Sequence, residues 1–233
     1  MNRVYALKHR KERGYRYADF DGERYPYVSE EKLRLFSANR PTVPTLLLCV
    51  LLLAVGFAVS AAFTHLSYPR RFEEIVCANC RCYGVDESLV YAVIRTESGF
   101  DPEAKSNVGA LGLMQITPET FHWLQSKIPD APSDTLDDNS LFDPEINIRY
   151  GVFFLSMLQE EFGSDTLAIA AYHAGRGQVS SWLEGGTLEQ DSKYSDIPSG
   201  ATGHYVNKVE RARTVYIQLY YDSYSSSEEI LYE

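Results

Sequence analysis

An uncharged run of 19 residues, Thr45 to Phe63, constrains the fold of this 233-residue chain more than any other feature. A helix of that length covers about 28 Å, which is enough to cross the hydrocarbon core of a bilayer. A core helix of a soluble domain usually carries a polar stripe, and this run has none. A cleaved signal peptide is the other alternative, but 44 preceding residues are too many for a signal peptide. The sequence therefore predicts an uncleaved transmembrane anchor at 45–63.

Charge is distributed unequally on the two sides of this run. Residues 1–44 carry ten Lys and Arg against six Asp and Glu, whereas the remainder carries 12 against 26. Because basic residues mark the cytoplasmic side of a span, we expect a single-pass protein with a cytoplasmic N-terminus and an extracytoplasmic chain from residue 64 onward. The acidity of the larger part argues against nucleic acid as a ligand, since phosphate binding requires clustered Lys and Arg.

The two ends of the chain are predicted to lack regular structure. Residues 1–44 are polar, charged and rich in tyrosine, without a helical or alternating apolar period, which indicates a flexible cytoplasmic tail. A specific docking segment is the alternative for this tail. Residues 222–233 form an acidic C-terminal tail.

The remaining residues, 64–221, are predicted to form one all-α domain because helix caps recur along them. Asp86 is a suitable N-cap for a helix over 87–98, which Gly99 terminates. Asp143 precedes a proline in the first helical position, as does Thr117. Strand signals are scarce. Further helices are expected at 144–162, 165–174, 177–184 and 202–221, with long loops at about 128–142 and 185–201.

Glu97 places an acid where the first of these helices is expected to be buried. It follows Val90 by seven residues and Val93 by four, which puts it on the apolar face. Burial and the negative end of the helix dipole both raise a carboxyl pKa, and an acid that keeps its proton can act as a general acid. Pairing with a buried arginine, or a misassigned helix face, is the structural alternative.

The segment after Glu97, "NVGALGLMQITPET", contains Gly109 and Gly112 close together, which allows backbone to approach backbone or ligand. Met114 and Gln115 then offer an apolar surface and a two-sided hydrogen-bonding group, as in sugar-binding sites. A plain turn between helices is the alternative.

Several ordered motifs extend this pattern. "ESGFDPEAKSNVGALGLMQITPET", "FDPEINIRYGVFFLSML", "AAYHAGRGQVSSWL" and "HYVNKV" together resemble the soluble lytic transglycosylase catalytic domain of the lysozyme-like superfamily. The resemblance covers about Phe72 to Tyr220. It implies a lysozyme-like helical catalytic domain, preceded here by the single transmembrane helix.

The resemblance also implies an activity: cleavage of the β-1,4 bond between N-acetylmuramic acid and N-acetylglucosamine in peptidoglycan. Glu97 would be the single catalytic acid and base, and the C6 hydroxyl of the sugar would attack C1 to leave a 1,6-anhydro end. No metal or other cofactor is implied. The substrate-binding residues would be Ser98, Met114, Gln115, Tyr172, His173 and Tyr205.

The expected partners are peptidoglycan glycan strands and the cytoplasmic membrane, the latter through residues 45–63; wall-associated protein partners stay open. A hydrolysing muramidase and a non-catalytic glycan-binding scaffold are the alternative functions. Asp101 and Asp143 are also present, but nothing in their sequence spacing indicates that either side chain points into the cleft.

The chain departs from the family pattern at three positions. His173 replaces the usual Asn and is interpreted as a tolerated variant. Ala201 and Gly203 replace the usual Glu and Arg, which we expect to loosen the loop over the cleft.

Three cysteines lie on the outer side of the anchor. Helical spacing places Cys80 near the packed face and leaves Cys77 and Cys82 more exposed. Free thiols are the preferred interpretation, and a strained Cys77–Cys80 disulfide, an intermolecular bridge and a metal site are the alternatives.

Overall fold

The computed structural model describes residues 9–12, 15–20, 23–26, 43–129 and 136–221. Its contacts divide the chain into two compact units, Met1–Ala62 and Phe63–Glu233. The acidic segment 222–233 lies outside the described residues.

The first unit contains a three-stranded antiparallel sheet of β1 (His9–Glu12), β2 (Tyr15–Phe20) and β3 (Glu23–Pro26). His9 pairs with Ala18 and Tyr17 with Pro26. These strands contradict the expectation that residues 1–44 lack regular structure, whereas a flexible cytoplasmic tail stays a prediction. Tyrosine, which recurs in these strands, is a residue that favours β-structure.

Helix α1 (Val43–Ser67) contains the apolar run and extends it to 25 residues. None of its residues is buried. In the described part of the chain, it is the one helix long and apolar enough to cross a membrane, judged by length and composition.

The second unit is helical, which confirms the expected all-α class. The predicted caps are found: Asp143 accepts from the backbone N–H of Glu145, and Thr117 accepts from that of Thr120. The α-helices are α2 (Glu73–Tyr83), α3 (Glu87–Glu97), α4 (Pro118–Gln125), α5 (Pro144–Phe162), α6 (Asp165–Ala174), α7 (Arg176–Glu184) and α8 (Gly200–Tyr220). Short 3₁₀ helices at Asp138–Phe142 and Tyr194–Asp196 lie inside the two expected loops.

Helix α3 is the centre of this unit. Its residues 89–94 are all inaccessible to solvent, and it packs mainly against α8. A helix that is apolar on every side is buried on every side. Helices α5 and α6 pack on each other and complete the core, together with α2 and α7.

Residues 67–70, which begin at the last residue of α1, are bound to the helical core. The Arg95 Nε donates to the Ser67 carbonyl at 2.8 Å, and the Tyr216 and Tyr220 hydroxyls donate to the carbonyls of Pro69 and Tyr68 at 3.1 and 2.8 Å. These backbone groups are thus satisfied by side chains of α3 and α8.

The cysteines of α2 follow the predicted pattern. Cys80 is buried, Cys77 is partly exposed and Cys82 is exposed, and all three are free thiols. Burial raises the pKa of the Cys80 thiol to about 12. A thiol that stays protonated at neutral pH is a poor nucleophile, so Cys80 acts as a packing residue.

Candidate active site

The centre of the site is a hydrogen bond between the last residue of α3 and a tyrosine in the second turn of α8. The Tyr205 hydroxyl on α8 donates to Oε1 of Glu97 over 2.5 Å. Glu97 is half-buried, and its partner is a tyrosine rather than the arginine of the alternative interpretation. The interface between α3 and α8 therefore brings together an acid and a donor 108 residues apart.

The pKa of Glu97 is raised from its ordinary value. Burial is the largest cause, and the Tyr205 hydrogen bond and the positive charge of Lys208 oppose it. Burial disfavours the charged form, whereas a donor and a nearby cation favour it. The result is a carboxyl that retains its proton to higher pH than an exposed glutamate.

A buried amide builds the loop that faces the acid. Asn147 on α5 accepts from the Met114 backbone N–H at 2.7 Å and donates to the carbonyls of Leu111 and Leu141 at 3.0 and 2.8 Å. Sequence reasoning missed this residue. Its signal was the same as that of Glu97, a polar side chain on a helix face that is otherwise apolar.

Gly112 is the residue of this loop that has no room for a side chain. Its φ is +74°, and a Cβ would overlap the Leu141 carbonyl and the Asn147 amide. Gly109 also has positive φ, but open space surrounds it. The predicted close approach of backbone is therefore found at Gly112, where the neighbouring atoms belong to Leu141 and Asn147 and not to a ligand.

Two of the predicted substrate-binding residues, Ser98 and Gln115, form hydrogen bonds that hold the loop, and their contact with substrate stays a prediction. The Ser98 hydroxyl bonds to the carbonyls of Leu113 and Ile94 at 2.8 and 3.2 Å, which ties the end of α3 to the loop. The Gln115 side-chain amide donates to the carbonyls of Gly112 and Ala104 at 2.8 and 3.1 Å.

The prediction that the Met114 side chain lines the cleft requires correction. It is fully buried and packs so closely on Gly151 that a Cβ there would overlap it. Met114 contributes to the site through its backbone. Its carbonyl accepts from the Tyr172 hydroxyl at 2.7 Å, which fixes this second tyrosine near Glu97.

His173 joins the same group of side chains. Its ring stacks on that of Tyr205 with centroids 4.5 Å apart, and its Nδ1 lies 3.3 Å from the Thr202 hydroxyl. Burial lowers the pKa of His173, which favours the neutral imidazole. His173 therefore packs against the ring of the tyrosine that donates to Glu97.

Lys208, which is not among the residues predicted from the sequence, lies close to the acid. Its Nζ donates to the Thr96 carbonyl at 3.3 Å. The carbonyls of a last helical turn lack partners within the helix, and a cation there also complements the helix dipole. Lys208 thus caps α3 beside Glu97.

Asp101 and Asp143 serve local structure. Asp101 accepts from the Glu103 backbone N–H at 3.0 Å, and Asp143 caps α5. Neither is among the groups that shift the pKa of Glu97.

The expected loosening of the loop at Ala201 and Gly203 is not what the structure shows. Gly203 is buried, and a Cβ there would come within 3.0 Å of the Tyr194 carbonyl. The missing side chain lets the turn at Tyr194–Ile197 pack directly on α8, and Ile197 is buried as a result.

Two open cavities are each lined by an aromatic ring that contacts one of the two tyrosines. The first, about 380 Å³, is lined by His173, which stacks on Tyr205. The second, about 310 Å³, is lined by Trp123 and Phe154, and the Phe154 ring contacts that of Tyr172 with centroids 5.2 Å apart.

Fold and site together define an all-α, lysozyme-like domain in which a half-buried carboxylic acid accepts a hydrogen bond from a tyrosine. Residues 75–195 match the family model described as "Transglycosylase SLT domain". The chain belongs to this family.

Relatives and solved structures agree with this assignment. The chain is 34% identical over 147 residues to a soluble lytic murein transglycosylase of Salmonella typhimurium, covering 61% of this chain and 22% of that protein. It is 29% identical over 171 residues to the membrane-bound lytic murein transglycosylase C of Haemophilus ducreyi, covering 64% and 46%. The chain therefore spans less than half the length of either relative.

The solved structures show the same fold. The 70 kDa soluble lytic transglycosylase of Escherichia coli superposes with a TM-score of 0.61 at 29% identity, over 66% of this chain and 25% of that one. An inactive mutant of the lytic transglycosylase Slt from Pseudomonas aeruginosa gives 0.56 at 31% identity, with the same coverage.

Proposed function

We propose that this protein is a membrane-anchored peptidoglycan lytic transglycosylase, which cleaves the β-1,4 bond between N-acetylmuramic acid and N-acetylglucosamine and leaves 1,6-anhydro-muramyl ends. The observation that carries the proposal is the Glu97–Tyr205 hydrogen bond at a carboxyl whose pKa is raised. The names of the relatives support the same class of substrate.

The geometry suits a general acid. Tyr205 occupies Oε1, so the second oxygen of the Glu97 carboxyl is the one that carries the proton to the glycosidic oxygen. Once deprotonated, the carboxylate is stabilised by the tyrosine hydroxyl and by Lys208, and it can then accept the proton of the attacking hydroxyl.

The surroundings of the acid support a nucleophile supplied by the substrate. Hydrolysing glycosidases pair two carboxyl groups, whereas the groups that perturb Glu97 are a tyrosine and a lysine. The C6 hydroxyl of the muramic acid residue is therefore the proposed nucleophile: its oxygen bonds to C1 as the glycosidic bond breaks, and no water is consumed.

The test is the mass of the products. Full-length protein in detergent is incubated with purified peptidoglycan, and the soluble fragments are weighed by mass spectrometry. We expect fragment ends lighter by one water than those of a hydrolysis product. Reducing ends of full mass would identify a hydrolysing muramidase, and intact peptidoglycan would identify a glycan-binding scaffold.

The proposed topology is a single span within α1, with the N-terminus in the cytoplasm. The apolar helix and the membrane-bound relative support membrane association. Protease added to spheroplasts should degrade the second unit. Protection of that unit would reverse the orientation and remove its access to the wall.

A further inference from the structure

Residues 64–71, which we call the juxtamembrane segment, follow directly on the apolar run and bind to the helical core from their start. His65 is the second residue after the run, and its ring contacts that of Tyr220 with centroids 5.7 Å apart. The Ser67 carbonyl, at the end of α1 and without a partner inside that helix, accepts from the Arg95 Nε at 2.8 Å. A flexible linker between the run and the helical core therefore has no room.

Further contacts hold the rest of the juxtamembrane segment. The Arg95 guanidinium lies 3.9 Å from the centre of the Tyr68 ring, within the range of a cation–π interaction. Tyr216 packs edge-on against the same ring, with centroids 5.5 Å apart. Two residues beyond Pro69, the Arg71 Nη1 donates to the Phe100 carbonyl at 3.1 Å. The segment is thus bound to α3, to α8 and to the loop that follows α3.

The exposed apolar surface of α1 continues into this segment. Leu66, the residue before Ser67, leaves 80% of its surface exposed. In the proposed topology, lipid covers such side chains, because burial of apolar surface away from water is favourable. The path from Ser67 through its hydrogen bond to Arg95 and on to Glu97 measures no more than about 20 Å, given standard bond lengths and helical rise. The acid is therefore held close to the bilayer surface.

We propose that the juxtamembrane segment holds the active site at a fixed height above the bilayer, so that the protein acts on glycan strands attached by a lipid to the same membrane and leaves a stub of set length on that lipid. The proposal rests on the proposed function and topology. A strand tethered in the same bilayer meets the site at high effective concentration. A site on a flexible linker could descend along the strand, whereas a fixed site cannot reach bonds nearer to the lipid than its own height.

The first experiment measures the stub. Full-length protein is reconstituted in liposomes that carry lipid-linked glycan strands, and the glycan left on the lipid after exhaustive cleavage is sized by mass spectrometry. We expect a narrow distribution of stub lengths. A helix-forming insert of 18 residues between Phe63 and Thr64, which we call the outer insert, adds five whole turns and raises the site by about 27 Å without rotating it. The stubs should then lengthen.

The control places the same insert between Arg40 and Pro41, before the span, where it leaves the height of the active site unchanged. Its stubs should match those of the wild type. Stubs of one length in all three proteins, or a broad distribution in the wild type that extends down to the lipid, would overturn the proposal.

A second measurement requires no cleavage. Val108 is 84% exposed in the loop after α3, so Val108→Cys provides a site for a fluorescent dye. The cysteines that are not buried are changed to serine in the same protein: Cys49, Cys77 and Cys82. Resonance energy transfer from this dye to acceptor lipids should be efficient in the reconstituted protein and should fall when the outer insert is added. Transfer that is unaffected by the outer insert contradicts a fixed height.

The outcomes separate this proposal from the proposed function. Released fragments with reducing instead of anhydro ends, from stubs that lengthen with the outer insert, keep the fixed height and reject the proposed reaction. Anhydro fragments from stubs whose length ignores the outer insert keep the reaction and reject the fixed height. If no glycan is cleaved, the proposed function fails, and the energy transfer decides on the height by itself.

Discussion

At the scale of single residues, the state of Glu97 results from opposing effects. Burial favours the protonated acid, and Tyr205 with Lys208 favours the anion. A single group that donates a proton and then regains it must exist both as the acid and as the carboxylate. A group restricted to one of these forms could serve only one of the two steps.

Glu97→Gln removes the proton without changing the shape of the side chain. General acid–base catalysis contributes ~10²–10⁴-fold, and Glu97 is proposed to act in both steps, so the loss should lie at or beyond the upper end. The rate of peptidoglycan solubilisation measures it. Glu103→Gln, the same change at an exposed position in the next loop, serves as the control and should retain full activity.

The same substitution should change the dependence of stability on pH. A carboxyl with a raised folded-state pKa contributes stability that is present below its unfolded pKa and lost as pH rises through the folded pKa. Glutamine has no such loss. Thermal unfolding should therefore show Glu97→Gln as the more stable protein at pH 7 relative to wild type, with the difference vanishing near pH 4. A constant difference across this range would contradict the raised pKa of Glu97.

At the scale of secondary structure, the loop between α3 and α4 is shaped by α5. Asn147 bonds to three backbone groups around it, and Gly112 lies against that amide. The position of the loop, and of the Met114 carbonyl that holds Tyr172, is thus determined by a helix more than 30 residues later in the chain.

Gly112→Ala and Gly109→Ala form a matched pair in this loop. Both place an alanine at positive φ, which costs about 1–2 kcal/mol. Only Gly112→Ala adds overlap with Leu141 and Asn147, so its free energy of unfolding should fall by a further ~1–3 kcal/mol. Urea denaturation measures both. Equal losses would mean that the loop yields at Gly112 at little cost.

The sequence predicted the helices well where their signals are local. The bounds 144–162 and 165–174 match α5 and α6, because caps and terminating glycines lie within one turn of the ends. Helical spacing predicts the burial of Glu97. Because α3 is apolar on all sides, however, the spacing distinguishes poorly between one face of this helix and another. The roles of Asn147, Lys208 and Gly203 depend on partners distant in the chain, and no local pattern reveals such partners.

At the scale of the whole molecule, the second unit begins before α2. Residues 67–70 satisfy the Arg95, Tyr216 and Tyr220 side chains, and the Arg71 Nη1 donates to the Phe100 carbonyl at 3.1 Å. This segment contacts α3 two residues before the acid.

A chain that starts at Phe63 should therefore be more stable than one that starts at Phe72. The shorter chain leaves the buried Tyr216 hydroxyl and the Arg95 guanidinium without these partners, at about 1–3 kcal/mol for each group. For a unit of this size, the midpoint should fall by several degrees, on the order of 2–4 °C per kcal/mol. Circular dichroism of the two chains on heating measures it. Identical midpoints would show that residues 63–71 contribute nothing to folding.

The complete enclosure of α3 has a consequence for exchange of its backbone hydrogens with heavy water. An amide in the middle of a helix that neighbours surround on every side becomes accessible through opening of the whole unit, whereas amides of exposed segments exchange through local fraying. Amides of residues 91–94 should accordingly be among the slowest in the protein, at the rate of global unfolding. Glu97 follows these residues on the same helix, so its position is expected to persist through smaller fluctuations of the surrounding loops.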